Sequence, residues 1–348
     1  MISSIVKKMV ALKAAAGPAL PGARRDLEAP FSMPWHVRTL IYPIPKQNGI
    51  QLVFANIILG RVGVAGFDDP AQESLKGRQA NLAVLALDSQ SPRTGAFVFD
   101  ESQVRCPEKA TGYEIQTPDF FYRLSGSWPR YATDLRIPGW DFDLSLETEC
   151  VQPVVWWSET PPFYSHYSAF GKTRGTGSFN GKTQVQDGWI SLEHGQGKNL
   201  RSGRLILPAP MFHYQLGALE TGEAFAFGCC TSMGVEVFRR GVFFTSEGKQ
   251  LPISTWHMLN GSTQTIPDRL GGQIRVPDDF EIKATSPDLE LSYKARLLTA
   301  PLAGSGRLTS SGAAFEGSLR LGSGASRKAS GILYMEHLYG PKAKKPLP

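Results

Sequence analysis

The segment Trp140-Asp-Phe-Asp-Leu-Ser-Leu-Glu147 alternates apolar and polar residues without an error. Successive side chains on a strand point to opposite faces, so Trp140, Phe142, Leu144 and Leu146 share one face and the acids and Ser145 the other. A near copy, Asp288-Leu-Glu-Leu-Ser-Tyr-Lys-Ala-Arg-Leu297, begins 147 residues after Asp141. Each copy leads through a glycine-rich zone into a segment that carries Glu-His: Glu193-His194 in "GWISLEHGQG" and Glu336-His337 in "GILYMEHLYG". An alternating strand, a glycine-rich hairpin and a Glu-His strand thus occur twice in one order. A period this long implies two homologous domains, because solenoid repeats run roughly 20–50 residues.

Helical periodicity is scarce after residue 30. Asn48-Gly49, Asn180-Gly181 and Asn260-Gly261 are hairpin signals between short alternating segments. The fold expected is all-β: two tandem antiparallel barrel or sandwich domains, residues 31–200 and 201–342, with the boundary near Asn199–Gly203. Barrels remove sheet edges and enclose a space suited to an apolar ligand. Residues 1–30 read as a short helix and linker, with Ile2, Ile5, Val6, Met9 and Val10 on one face and Gly17-Pro18 as the stop. That helix suits packing on the body or weak attachment to a membrane surface. Residues 343–348 form a tail.

Several function classes drop out. The longest apolar runs, such as Leu52–Leu59, are too short to cross a bilayer as a helix. Net charge is +6, yet Lys and Arg are scattered rather than laid out with interleaved aromatics, so no nucleic-acid partner is expected. Cys106, Cys150, Cys229 and Cys230 lack CxxC spacing, which argues against a structural zinc site and for free thiols in a reducing cytoplasm. No nucleophile elbow, P-loop or HExxH occurs. No metal or redox cofactor is expected.

The stretch "YSHYSAFGKTRGTGSFNGKTQVQDGWISLEHGQG" resembles a hairpin of the two-domain lipocalin-like proteins. That family includes carotenoid 1,2-hydratases, AttH-like proteins and Diels–Alderase pericyclases. Tyr167-Ser168, Gly177, Gly181, Val185, Gly188, Glu193 and His194 fill the positions of the family pattern, and Glu336 stands where its closing strand commonly carries a glutamate. Two departures are Glu193 where the family often has Asp, and Gly195-Gln196-Gly197 where it has Trp-Gly. The resemblance implies a lipocalin-like fold and a lipophilic ligand such as a polyene, isoprenoid or polyketide. Its activities would be cofactor-free hydration, cyclisation or pericyclic chemistry.

Strand phase puts Trp189, Ser191 and Glu193 on one face, with Ile190, Leu192 and His194 on the other. A structural role for Glu193 would pin a neighbouring strand through an Arg or Lys. A catalytic role would place it in an aromatic-lined space where desolvation favours the neutral, proton-donating acid. His166, close to Glu159 and the rigid Pro161-Pro162, is the second candidate for proton transfer. Trp156, Trp157, Tyr164, Tyr167, Trp189 and Trp256 are the candidate ligand contacts, since aromatic faces stabilise developing cation charge. A non-catalytic carrier of the same ligand is the alternative.

Overall fold

A hairpin shows how local chemistry sets this architecture. Asn180 and Gly181 have φ of 50° and 73°, the pair of positive values that a two-residue type I′ turn demands. They join two 16-residue strands, Tyr164–Phe179 and Lys182–Gly197, whose register runs unbroken from Phe179↔Lys182 to Ser165↔Gln196. The computed structural model describes residues 35–44, 50–59, 78–86, 93–99, 103–105, 112–151, 153–160, 164–197, 211–232, 235–267, 271–298, 301–303 and 308–338. The expected N-terminal helix, the tail, Cys106 and Pro161-Pro162 lie outside the described residues.

The chain divides into two compact units, with a division between Asn199 and Leu200. The first begins with β1 (Trp35–Pro43), β2 (Ile50–Leu59), β3 (Arg78–Ala86), β4 (Arg93–Val98), β5 (Val104–Arg105) and β6 (Gly112–Gln116). It continues with β7 (Phe121–Ser127), β8 (Arg130–Ile137), β9 (Phe142–Cys150), β10 (Val155–Thr160), β11 (Tyr164–Phe179) and β12 (Lys182–Gly197). Their order in one antiparallel sheet is β4-β3-β2-β1-β12-β11-β9-β8-β7-β6-β5, with β10 added to β11.

The second unit opens with β13 (Met211–Leu219), β14 (Ala224–Ser232), β15 (Val235–Phe244), β16 (Gln250–Ile253), β17 (Thr255–Asn260) and β18 (Thr263–Pro267). Then come β19 (Gln273–Pro277), β20 (Asp279–Ser286), β21 (Leu289–Leu297), β22 (Leu302–Ala303), β23 (Leu308–Leu321) and β24 (Arg327–Leu338). The main order is β16-β15-β14-β13-β24-β23-β21-β20-β17. Only Ser254 separates the two end strands in sequence, so this sheet curls almost into a closed barrel. Reading outward from the β1–β12 and β13–β24 pairs, the two orders run in parallel. The duplicated sequence block is β9, β11 and β12 in one unit and β21, β23 and β24 in the other.

The alternation predicts these strands well, with one correction. Phe142, Leu144, Leu146, Thr148 and Cys150 are buried along β9 and the residues between them are exposed. Trp140, expected as the first inward residue, instead ends a short 3-10 helix, Pro138–Trp140, and packs its ring 5.8 Å from that of Phe97. Asp141 takes a left-handed φ of 50°, which breaks the extended phase before the strand begins. In β21, Leu289, Leu291, Tyr293 and Ala295 point into a core with Phe225, Phe227, Phe280 and Phe315. Fully burying one Leu or Phe side chain contributes about 1.5–3 kcal/mol, and this repeated inward row drives the barrel shut. Among the described residues no helix is long and apolar enough to cross a membrane.

Candidate functional site

Register identifies the core face of the first sheet. Thr133 on β8 faces Leu146 on β9, Leu146 faces Gly175 on β11, and Gly175 faces Gln186 on β12. Their same-phase neighbours include Leu135, Leu144, Thr148, Ile190 and Leu192, all buried. His194 belongs to this row and Glu193 to the reverse face. The reverse face is exposed at Thr183, Val185 and Asp187, yet buried at Trp189, Ser191 and Glu193. The two halves of the Glu-His dipeptide therefore serve different environments, as strand geometry requires.

Glu193 is 5% exposed. Ser168, its register partner on β11, donates its hydroxyl to Glu193 Oε1 at 2.9 Å, and Ser191 donates to the same oxygen at 3.2 Å. Trp157 Nε1–H donates to Ser168 Oγ at 2.6 Å. That contact depends on a local irregularity: Trp156 pairs with Tyr167 and Ser158 with His166, leaving Trp157 as the extra residue of a bulge in β10. His166 lies two positions before Ser168 on the same face, and its Nε2 stands 3.4 Å from Glu193 Oε2. One carboxylate oxygen is held by hydroxyls and the other faces an imidazole. No Arg or Lys among the described residues lies in ion-pair range of Glu193, whose ion-pair contact there is His166.

On the core face, His194 Nδ1 is 3.3 Å from the Tyr167 hydroxyl, with the rings edge to face at 5.4 Å. Trp156 packs on Tyr167 at 4.9 Å. Trp157 and Trp189 thus share the side of Glu193, whereas Trp156 and Tyr167 line the other. Tyr164 is placed on β11, and its side chain, like that of Glu159, lies outside the described residues.

The second unit repeats the arrangement with altered chemistry. Ser310 faces Glu336 across β23 and β24, as Ser168 faces Glu193. Here Tyr334 occupies the place of Ser191, donates its hydroxyl to Glu336 Oε1 and lies 2.9 Å from Ser310 Oγ. Inside the barrel, Trp256 is core: its ring lies 5.2 Å from Phe227 and 6.0 Å from His213, under the guanidinium of Arg239 at 4.9 Å. Beside it runs a buried polar chain, His337, His213, Gln215 and Tyr293. Sequence reasoning missed His213 and Gln215. They alternate with Tyr214 and Leu216, so the pattern makes the polar pair look like the solvent face.

Among the described residues no cluster of His, Cys, Asp and Glu is arranged to hold a metal ion. Cys150 and Cys229 are free thiols, and burial pushes both up to about 12. A cleft of about 500 Å³ between Ser262, Gln264, Asp278, Asp279 and Arg296 is open and hydrophilic, remote in character from the apolar space expected for a lipid.

Comparison with known proteins agrees with this architecture. Residues 57–314 match the model of a family of unknown function, DUF6670. No curated protein matches the sequence. A crystal structure of a candidate AttH from Nitrosomonas europaea has a TM-score of 0.58 and 13% identity, covering 92% of this chain and 99% of that one. At that identity the likeness establishes fold alone, and the fold is lipocalin-like.

Proposed function

We propose, for a chain that belongs to the family of unknown function DUF6670, that it binds a lipophilic small molecule and transfers protons to it through Glu193 and His166. The observation that carries this reading is the unequal use of the two Glu193 oxygens. Ser168 and Ser191 fix Oε1 and with it the carboxyl plane, while Oε2 faces His166 Nε2 at 3.4 Å and is the atom left for exchange. A positioned carboxyl of this kind accounts for roughly 10²–10⁴ in rate.

In hydration, the protonated Oε2 gives its proton to one alkene carbon of a polyene or isoprenoid. The indole of Trp157 suits the cation that forms at the other carbon, while Lys172 Nζ lies over the Trp189 ring at 5.9 Å. Water adds there, and its surplus proton returns to the Glu193–His166 pair, so the net change is addition of one water. In cyclisation an internal π bond replaces water as nucleophile and a neighbouring C–H proton returns instead. The chain itself supplies each donor and acceptor in both schemes.

Carriage without chemistry is the competing reading. Purified protein incubated with a total lipid extract and analysed by native mass spectrometry separates the two. Proton-transfer catalysis predicts that captured material is released with a gain of one water or as an isomer. Glu193→Gln should keep binding within about tenfold yet lose roughly 10²–10⁴ in conversion. Captured lipid released unchanged by the native protein would leave only carriage.

A further inference from the structure

The Asn260-Gly261 pair does not turn the chain back, as its sequence signal suggests. Strand β17 pairs with β20 and the next strand, β18, pairs with β19, so the pair lies in one limb of a long hairpin. The two ladders belong to separate sheets, and the hairpin bends between them. Gly261 N–H donates to Asp279 O at 3.0 Å and Asp278 N–H to Ser262 O at 2.9 Å, which carries the hydrogen bonding across the bend. This bend and the end of β21 line the open cleft of about 500 Å³, where Leu297 and Leu298 join the polar groups named above.

The bend commits Asp279. Ser262 donates its N–H to Oδ1 at 3.0 Å and its hydroxyl to Oδ2 at 2.6 Å. A Cβ on Gly261 would fall on Oδ1, so the carboxylate is turned over the bare glycine. Arg296 stands opposite Asp279 in register and is left without it. Its other cross-strand neighbour is Ala314, and the exposed guanidinium makes no hydrogen bond or ion pair among the described residues. Opposite charges across strands ordinarily pair, and on this same outer face Lys283, Arg320 and Lys328 pair with Glu281, Glu290 and Glu316. Lys294 is also unpaired there, but it does not line the cleft. Gln264 donates to Asp278 Oδ1, and the other oxygen of this half-buried carboxylate has no hydrogen bond among the described residues.

We propose that this cleft binds a small zwitterion of the α-amino acid class with an apolar side chain. Its carboxylate would sit on Arg296, its ammonium on Asp278 and its side chain on Leu297 and Leu298. The guanidinium fork matches a carboxylate through two parallel hydrogen bonds. A plain anion brought into the cleft meets Asp278 and Asp279, and a plain cation meets Arg296. A molecule that bears both charges in opposite places is favoured by every charged group of the lining, and each single charge is opposed by one of them. Leu298 is 37% exposed, and covering it removes apolar area from water. The site belongs to the second unit and uses no residue of the Glu193 cluster.

The test is calorimetric titration of the full chain with L-leucine, leucinamide and 4-methylpentanoate. The amide lacks the anion and the acid lacks the ammonium. Leucine should bind in roughly the millimolar range, because charged groups beside water contribute modestly. Each analogue should bind about fivefold more weakly, or worse. Arg296→Gln should abolish the preference for leucine over leucinamide, and Asp278→Asn the preference over 4-methylpentanoate. Lys294→Gln should keep both preferences. Absence of leucine binding at millimolar concentration, an analogue that binds as tightly as leucine, or preferences unchanged in the Arg296 and Asp278 variants would each overturn the proposal. The ligand series on the native protein needs no variant, so a variant that fails to fold does not shield the proposal. Leucine is neither an alkene nor a lipid, so a negative result leaves proton transfer at Glu193 standing, and an inert Glu193 leaves this site standing.

Discussion

His213 and His337 face each other across β13 and β24 with their Nδ1 atoms 2.9 Å apart. One must donate and the other accept, so the pair requires two different tautomers. Tyr293 donates to Gln215 Oε1, which turns the Gln215 amide N–H toward His213 Nε2 at 2.8 Å. His213 then accepts at Nε2 and donates from Nδ1, and His337 accepts at Nδ1 and holds its proton on Nε2. The polar chain through the second barrel has one direction, and it needs both imidazoles neutral.

The first prediction follows from that neutrality. Burial pushes His337 down to about 3, and burial, the neighbouring His337 and Arg239 push His213 well below its ordinary value. The unfolded chain takes up protons near pH 6.5 that the folded chain refuses. This contribution to stability is therefore fully present above about pH 6.5 and is lost as pH falls toward 3. The slope approaches about 1.4 kcal/mol per pH unit for each histidine. Melting curves from pH 7 to pH 4 should show this loss, and His337→Gln should flatten it. An unchanged pH slope in the variant would clear the pair of responsibility.

The two buried glutamates should behave differently despite their equivalent register. Glu193 faces an imidazole at its second oxygen, whereas the contact that defines Glu336 is the Tyr334 hydroxyl. Glu193→Gln is expected to remove roughly 10²–10⁴ of turnover. Glu336→Gln should leave turnover near the native value and lower the melting temperature. Near-native turnover in both variants would show that neither carboxyl acts as the proton donor.

Ser168→Ala tests the link between Trp157 and Glu193. Ser168 is fully buried and bridges the indole N–H to Oε1. Its loss removes one acceptor and one donor from groups without access to water, at a cost of about 1–3 kcal/mol. Urea denaturation should report it as a shift in midpoint with an unchanged slope.

Gly175 and Gly317 occupy matching places on β11 and β23. A Cβ at either would fall 1.9 Å from a backbone carbonyl, of Ser145 in the first case and Ser292 in the second. Each Gly→Ala change should destabilise by about 1–3 kcal/mol or more, because backbone cannot step aside as a side chain can. Gly139, with nothing within 4 Å of the same position, is the control and should tolerate Ala. Thermal melts of the three variants decide this.

Much of the fold was legible before any coordinates. The inward rows of β9 and β21, the Asn180-Gly181 turn and the duplicated Glu-His strands follow from local sequence, and each has a local cause. Trp140 shows the limit: the alternation extends to it on paper, but Pro138 and the left-handed Asp141 end the extended phase first. The partners of Glu193 were less legible. Ser191 is readable from strand phase. The approach of Trp157 depends on a bulge set by pairing with β11, which no spacing in the sequence announces.

The sequence by itself determined which side chains travel together: Trp189 with Ser191 and Glu193, Ile190 with Leu192 and His194. That follows from the two-residue period of any extended chain. Only the tertiary structure decided which of those rows is core and which lies behind it. It also decided that Ser168 would meet Glu193 and that His213 would meet His337, 124 positions away. Alternation is a property of one strand's covalent geometry. Burial belongs to the assembled sheet, whose pairings arise only when distant segments close on one another and the apolar area they bury outweighs the entropy of closing the loops between them.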